Sequence, residues 1–563
     1  MRGSQNRSCC NIIYRLGLNI VMLLTLLLSM LLFAGSFLTT CYADNMETQQ
    51  VLLRPDNPLW NLLELAGFGL LFCGCLYLYE KIGEKFRRGL LVFTLAFVFG
   101  LGILLILFGR TVPAADALSV YNAAAEWILG NTDIIHPTVS YLSYYPQQIG
   151  LMAFLELLLR LWNLTGLSAP AWHFIKLVYV CLLCVAIWFQ YLSLQYLWPE
   201  NYKKISCCYL ILVCCNLPMI MYSSFIYGEI PSFAALSVGW YLLLRLLGSA
   251  SRGSASPGSV SLDSVSRGSA SLDSSSLDSV SHMLCRIIFT GFGSILFLTL
   301  SVMLRKNSLV PIIAVLLVLL FEALRPGRNG KMRLGLLIMA VCLAVTSVNV
   351  LPLTQKIYEK KAGNTLSSGV TAMSYLAMGM QESSRGCGWY NGFNIDTYDT
   401  AGMDTALANE ISRLTIDERL AYFWEHPGYT ANFYLHKHLS QWADGTYASR
   451  QATLATYGGR SSFFKEVYEG SLSGGYIEWC NAWQNVLYLG VLVFCIDSLK
   501  KRRESRVADR LYVYVGLIAV LGGFLFHTFW EANSRYIFSY SLLLMPYCGA
   551  GIYTLLPRKR GHR

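Results

Sequence analysis

The chain has 563 residues, of which 55% are hydrophobic, 13% aromatic and only 14% charged. Soluble domains carry roughly a quarter charged residues, so this composition excludes an ordinary soluble protein and places the chain in lipid. The net charge of +11 comes from Lys and Arg gathered in short loops between apolar runs, an orientation signal of membrane proteins, so nucleic acid is set aside as a partner.

Several apolar runs reach the ~20 residues that a helix needs to cross a bilayer. A backbone in hydrocarbon must satisfy its own hydrogen bonds, which such runs do as helices. The expected fold class is an all-α polytopic membrane protein. Residues 11–38 follow Arg2 and Arg7 and read as a first span with a cytoplasmic N-terminus; the run is long for a signal peptide. Residues 60–79 and 90–109 read as the next spans, separated by the basic loop Lys81 to Arg88. Residues 110–150 then fall on the outer face. The stretch 149–162 is short for a span and carries Glu156 and Arg160, so it is expected to lie along the interface. Spans follow at 173–198, 205–223 and 232–247.

Residues 249–281 differ in kind: S-R-G-S-A-S occurs twice and S-L-D-S three times. Such a tract cannot bury enough apolar area to fold and is expected to be a disordered cytoplasmic insert. Further spans are read at 286–304, 308–321, 334–350, 486–499, 511–529 and 537–556. That makes about twelve spans, with both termini cytoplasmic by the positive-inside rule. The organisation is then a transmembrane core over 1–351, an α-rich extracytoplasmic domain over 352–482 and closing transmembrane helices over 483–563.

Four charged turns share the outer face: Asp116 with Glu126, Glu229 after Tyr227-Gly228, Arg305-Lys306, and Glu531 with Arg535. Ionisable groups in tight loops at span ends are costly unless they are paired or functional. Asp116 either caps the helix that follows it or acts as a general base. Glu126, ten residues on, either shares that helix face or is solvated. Glu229 either caps the next helix or joins the site. Arg305 and Lys306 suit a phosphate or, equally, anionic lipid headgroups. Glu531 and Arg535, four apart, can simply pair with each other. Tyr144 and Tyr145, before Pro146, belong to an aromatic belt or shape a lipid-facing groove. His436 and His438 lie two apart, on different helix faces, which argues against a metal. Cys387 and Cys480 can pair if their loop is outside, or remain free thiols. Neither a phosphate-binding P-loop nor a G-x-S-x-G elbow is present.

The first-loop acid followed by Y-Y-P-Q-Q, the second acid in F-I-Y-G-E-I-P and the late E-A-N-S-R-Y resemble GT-C membrane glycosyltransferases, among them bacterial members of the protein-mannosyltransferase and aminoarabinose-transferase superfamily. The resemblance covers about residues 90–350 and the closing spans. It implies a polyprenyl-phosphate sugar donor, inversion at the anomeric carbon, Asp116 as the catalytic acid residue and Glu229 as a second acid where Asp is commoner. The reading of the outer turns adds expected substrate contacts from Glu126, Tyr144, Tyr145, Arg305, Lys306, Glu531 and Arg535, with Arg305 and Arg535 on the phosphate. Some relatives use a divalent metal, a point this sequence leaves open. Gly388-Trp-Tyr-Asn-Gly-Phe393 with Gln441-Trp442 resembles large membrane proteins of Gram-positive bacteria and implies a cell-envelope acceptor, whether glycan, lipid or protein. The competing expectation is a transporter or flippase of lipid-linked glycans, which calls for internal repeats and mid-membrane charges. A non-catalytic scaffold presenting residues 352–482 would leave the outer acids unexplained.

Overall fold

The computed structural model describes residues 2–43, 48–252, 274–325, 328–504 and 510–555. Helix α1 (Arg2–Leu38) leads into a hairpin of β1 (Thr39–Ala43) and β2 (Val51–Pro55), antiparallel with Thr39 opposite Pro55. Then follow α2 (Pro58–Ile82), α3 (Glu84–Leu104), α4 (Ala115–Ile128), the single turn α5 (Tyr141–Tyr144) and α6 (Ile149–Asn163). The middle of the chain forms α7 (Ala171–Leu197), α8 (Tyr202–Cys215), α9 (Leu217–Tyr222), α10 (Glu229–Arg252), α11 (Ser274–Leu304), α12 (Leu309–Leu324) and α13 (Gly330–Ala362). Six shorter helices follow: α14 (Ala372–Gly379), α15 (Phe393–Thr400), α16 (Thr405–Glu425), α17 (Pro427–Trp442), α18 (Ser449–Ala452) and α19 (Ser462–Tyr468). The chain closes with α20 (Ser473–Glu504), α21 (Val515–Phe529) and α22 (Ser534–Leu555).

The protein is an all-α polytopic membrane protein with one small hairpin. Nine helices among the described residues are long and apolar enough to cross a membrane. The other three expected spans are helical but shorter or less apolar. The expected span at 205–223 is broken at Asn216, whose side chain accepts from Met219 N at 3.1 Å, with Pro218 following. The apolar part of α11 is Ile288–Leu304. Helix α22 carries Pro546 and several Ser and Tyr residues. Most residues of α8 and α22 are buried among other helices, so packing rather than lipid contact selects their side chains, and polar residues are tolerated. By contrast α1, α2 and α13 leave rows of Leu, Ile and Val exposed, as lipid-facing helices do.

Two expected boundaries fall inside helices. Helix α13 runs through 351–352, with Pro352 inside it, and α20 through 482–483, so the helices outlast the apolar pattern. Of the low-complexity tract, residues 249–252 and 274–281 extend α10 and α11, and 253–273 lie outside the described residues. Helix α6 does not cross the bundle. A Cβ on Gly150 would lie 2.0 Å from Met303 O at the end of α11, while Trp162 stacks on Phe174 at the start of α7. Both ends of α6 thus sit at the same end of the bundle. The basic loops meet at another place: Lys203 pairs with Glu84 at 3.0 Å and Lys204 with Glu80 at 2.9 Å.

Candidate active site at one end of the helix bundle

Helix α3 ends in a π-turn, Leu105–Gly109, and the chain then passes through two left-handed non-glycine residues, Arg110 (φ 49°) and Ala115 (φ 46°). Such conformations cost about 1–3 kcal/mol each and persist where surroundings enforce them. Here the surroundings are visible. Val112 N donates to Ala455 O at 2.9 Å and Tyr457 N to Arg110 O at 3.0 Å, and Lys176 Nζ donates to Thr111 O at 2.8 Å. Residues 455–461 therefore clamp the start of the loop that carries Asp116. Ala114 is the N-cap of α4 and makes no side-chain cap bond. Asp116 lies in the first turn, half-buried, where the helix dipole favours its charge, and it does not play the capping role weighed above.

Asp116 is within Coulombic reach of Tyr141, Tyr145, Tyr227, Glu531 and Arg535. Three separate stretches thus converge on it. The hydroxyls of Tyr141 and Tyr227 are hydrogen-bonded, and Gln148 Nε2 donates to Tyr227 Oη. Burial raises the hydroxyl pKa of Tyr141, Tyr145 and Tyr227, with the Asp116 charge adding to the effect; these phenols stay neutral and can donate.

Glu229 opens α10 and is 1% exposed. Its Oε1 lies 3.2 Å from Arg305 Nη2 and 3.8 Å from Arg535 Nε. Neither carboxylate oxygen accepts a well-aligned hydrogen bond, so the attraction is Coulombic. The approach requires glycine at 228, where a Cβ would stand 2.5 Å from Leu304 O. Arg305 also donates to Ser539 Oγ at 3.2 Å. The Arg535 guanidinium faces the rings of Phe225, Tyr227 and Tyr536 at 5.5 to 5.7 Å.

Glu531 is buried and accepts from Tyr536 Oη at 3.1 Å. Burial pushes its carboxyl up to about 7, opposed by Tyr536 and Arg535 and reinforced by the Asp116 charge. Its pairing is thus with Tyr536 and the cluster, and not a simple four-residue bridge to Arg535. The turn holding it docks on residues 388–389, where Ala532 N donates to Gly388 O at 2.8 Å. Arg305 and Tyr536 line a cavity with Ser232, Asn307, Ser539 and Tyr540. Leu236, Pro311 and Leu543 are shared with a second, apolar cavity that reaches Leu197 and Tyr547.

The remaining expected residues stand apart. Glu126 is exposed and accepts from Asn131 Nδ2 at 3.1 Å. It is ten residues, about 15 Å, along α4 from Asp116, and the structure does not bring the two together. Lys306 is exposed beside Arg305. Tyr144 turns from Asp116 to donate to Asp399 Oδ1 at 2.8 Å, leaving Tyr145 facing the acid. Cys387 and Cys480 are both free thiols. Among the described residues no three His, Cys, Asp or Glu side chains are grouped so as to hold a metal ion; Asp116 and Glu531 are accompanied by Arg535 and Arg385 instead. Tyr141, Tyr536, Lys176 and Lys437 were not singled out from the sequence. For the lysines a signal existed: Lys176 interrupts an apolar run, and an isolated charge there is a functional pointer.

No family model matches the chain, and no curated protein matches it. Among solved structures it is similar to the archaeal oligosaccharyltransferase AglB from Archaeoglobus fulgidus in complex with an inhibitory peptide and a dolichol-phosphate, at 12% identity and a TM-score of 0.44, over 85% of this chain and 51% of that one. It is similar to the Archaeoglobus fulgidus oligosaccharyltransferase in the apo form at 12% identity and a TM-score of 0.43, over 84% and 51%. The chain spans about half the length of these structures.

Proposed function

We propose that this protein is a membrane glycosyltransferase of the GT-C type, which moves a sugar from a polyprenyl-phosphate donor to a cell-envelope acceptor on the extracytoplasmic face. The observation that carries this reading is the meeting of Asp116, ringed by neutral tyrosines, with Arg535 and the Glu229–Arg305 pair, beside a cavity that Arg305 lines and that shares apolar residues with a second one. A carboxylate and two guanidiniums close to a cavity that Arg305 lines suit a substrate with a lipid tail, an anionic link and a polar head.

In the proposed step the Asp116 carboxylate takes the proton of an acceptor hydroxyl. The hydroxyl oxygen bonds to the anomeric carbon as the bond from that carbon to the phosphate oxygen breaks. Direct displacement inverts the anomeric centre. Polyprenyl phosphate leaves with the bonding electrons, and Arg305 and Arg535 take up its charge. Glu229 acts by holding those arginines, and the faces of Tyr141, Tyr145 and Tyr227 pack against the sugar. A donor already in the membrane needs no cytosolic nucleotide sugar.

A flippase of lipid-linked glycans is the second reading, and the apolar residues shared by the two neighbouring cavities favour it. The full chain in lipid nanodiscs, supplied with labelled polyprenyl-phosphate hexose or pentose and envelope fractions, separates the two. Transfer releases polyprenyl phosphate and moves label to the acceptor, and Asp116→Asn lowers that rate roughly a hundred- to ten-thousand-fold. Wild-type turnover by Asp116→Asn, or label that changes leaflet in vesicles with the donor bond intact, refutes the transferase reading.

A further inference from the structure

Lys437 lies on α17 and is fully buried. A buried ammonium needs partners of opposite charge or dipole. Its Nζ donates to Gly379 O at 2.5 Å and to Thr528 O at 3.0 Å. Gly379 is the last residue of α14, and Thr528 stands in the last turn of α21. Carbonyls there have no partner within their helix, and two helix C-termini present partial negative charge to one cation.

The packing around this lysine is built for it. A Cβ on Gly388, which has φ +73°, would lie 2.7 Å from Lys437 Cε. A Cβ on Gly379 would lie 2.3 Å from Phe529 O. Gly388 O in turn accepts from Ala532 N at 2.8 Å. The end of α14, residues 388–389 and the turn after α21 thus meet on one side chain. That turn carries Glu531 and leads directly to Arg535.

We propose that Lys437 is a positioning residue: by bridging the C-termini of α14 and α21 it fixes the turn that places Glu531 and Arg535 beside Asp116. The titratable groups facing it are Glu531, whose charge favours its own, Cys387, His438 and His527. Burial lowers its pKa to about 7, so the two carbonyl contacts matter most where that charge is kept. The role in turnover rests on the transferase reading above; the role in fixing the turn does not.

The test compares the full chain with Lys437→Met and Lys437→Gln in nanodiscs. Amide exchange of the peptide spanning 529–536 is expected to rise roughly tenfold or more, with membrane helices unchanged. Turnover of a polyprenyl-phosphate sugar is expected to fall roughly 10- to 30-fold in kcat, and KM for the donor to rise roughly threefold or more, because Arg535 shifts with the turn while Arg305 stays in place. Unchanged exchange overturns the proposal. So does a fall in turnover that only tracks the fraction of folded protein, with exchange raised in all helices and KM unchanged, which marks Lys437 as a strut alone. If wild type transfers no sugar, the transferase reading fails, and the exchange result still decides for or against Lys437.

Discussion

Replacing Glu229 by Gln removes one charge from a buried cluster of three and leaves its shape almost intact. The carboxylate is 1% exposed, and its Oε1 stands 3.2 and 3.8 Å from the two guanidiniums. At an effective dielectric of ~20 those separations correspond to gross attractions of about 5 and about 4 kcal/mol. Most of that offsets desolvation, and removing one partner from a buried pair typically costs about 3–5 kcal/mol. The Arg305 and Arg535 side chains are 11% and 20% exposed, and Ser539 and three ring faces remain to them. These favour the lower end, about 3 kcal/mol. Reversible unfolding in mixed micelles measures the loss. In a cycle with Arg305→Met, the double variant should lose about 2 kcal/mol less than the sum of the single ones. KM for the lipid donor should rise, because both arginines lose their anchor. A Gln variant within about 0.5 kcal/mol of wild type, or strictly additive losses, would refute the ion-cluster argument and return Glu229 to the role of an independent acid.

Glu531 gives a pH dependence of defined sign. Its folded pKa of about 7 lies above the ordinary carboxyl value of 4.5. Its contribution is therefore fully present below about 4.5 and is lost as pH rises through 7. Glu531→Gln carries no such loss, so between pH 5 and pH 8 the variant should gain up to about 3 kcal/mol relative to wild type. A constant difference in melting temperature across that range would contradict this. Lys306→Ala and Glu126→Ala, both at exposed positions, should stay within roughly twofold of wild-type turnover, whereas Arg305→Met should lose roughly tenfold or more; similar losses in all three would remove the distinction between the buried cluster and its surroundings.

The membrane class was legible from composition and apolar runs, because lipid imposes length and polarity on every helix that faces it. That 149–162 does not cross the bundle was legible too, from its shortness and the charges at Glu156 and Arg160. The spans expected at 205–223 and 537–556 are formed by helices that touch other helices more than lipid, which is why the first breaks at Asn216 and Pro218 and the second carries Pro546, Ser and Tyr. At the site, sequence located the acids and bases at span ends by the rule that charges there are costly. It could not decide which of them meet.

That decision belongs to the tertiary structure. Asp116 and Glu126 are ten residues apart and separated by the length of a helix, whereas Asp116, Glu229 and the turn holding Glu531 and Arg535 lie more than a hundred residues from one another in the chain and share one cluster. Glycines 228, 379 and 388 permit these contacts by what they lack, a Cβ, and nothing local marks them in the chain. Sequence fixes which residues cannot lie in lipid without a reason; helix packing, which is set by many distant side chains at once, supplies the partner that is the reason.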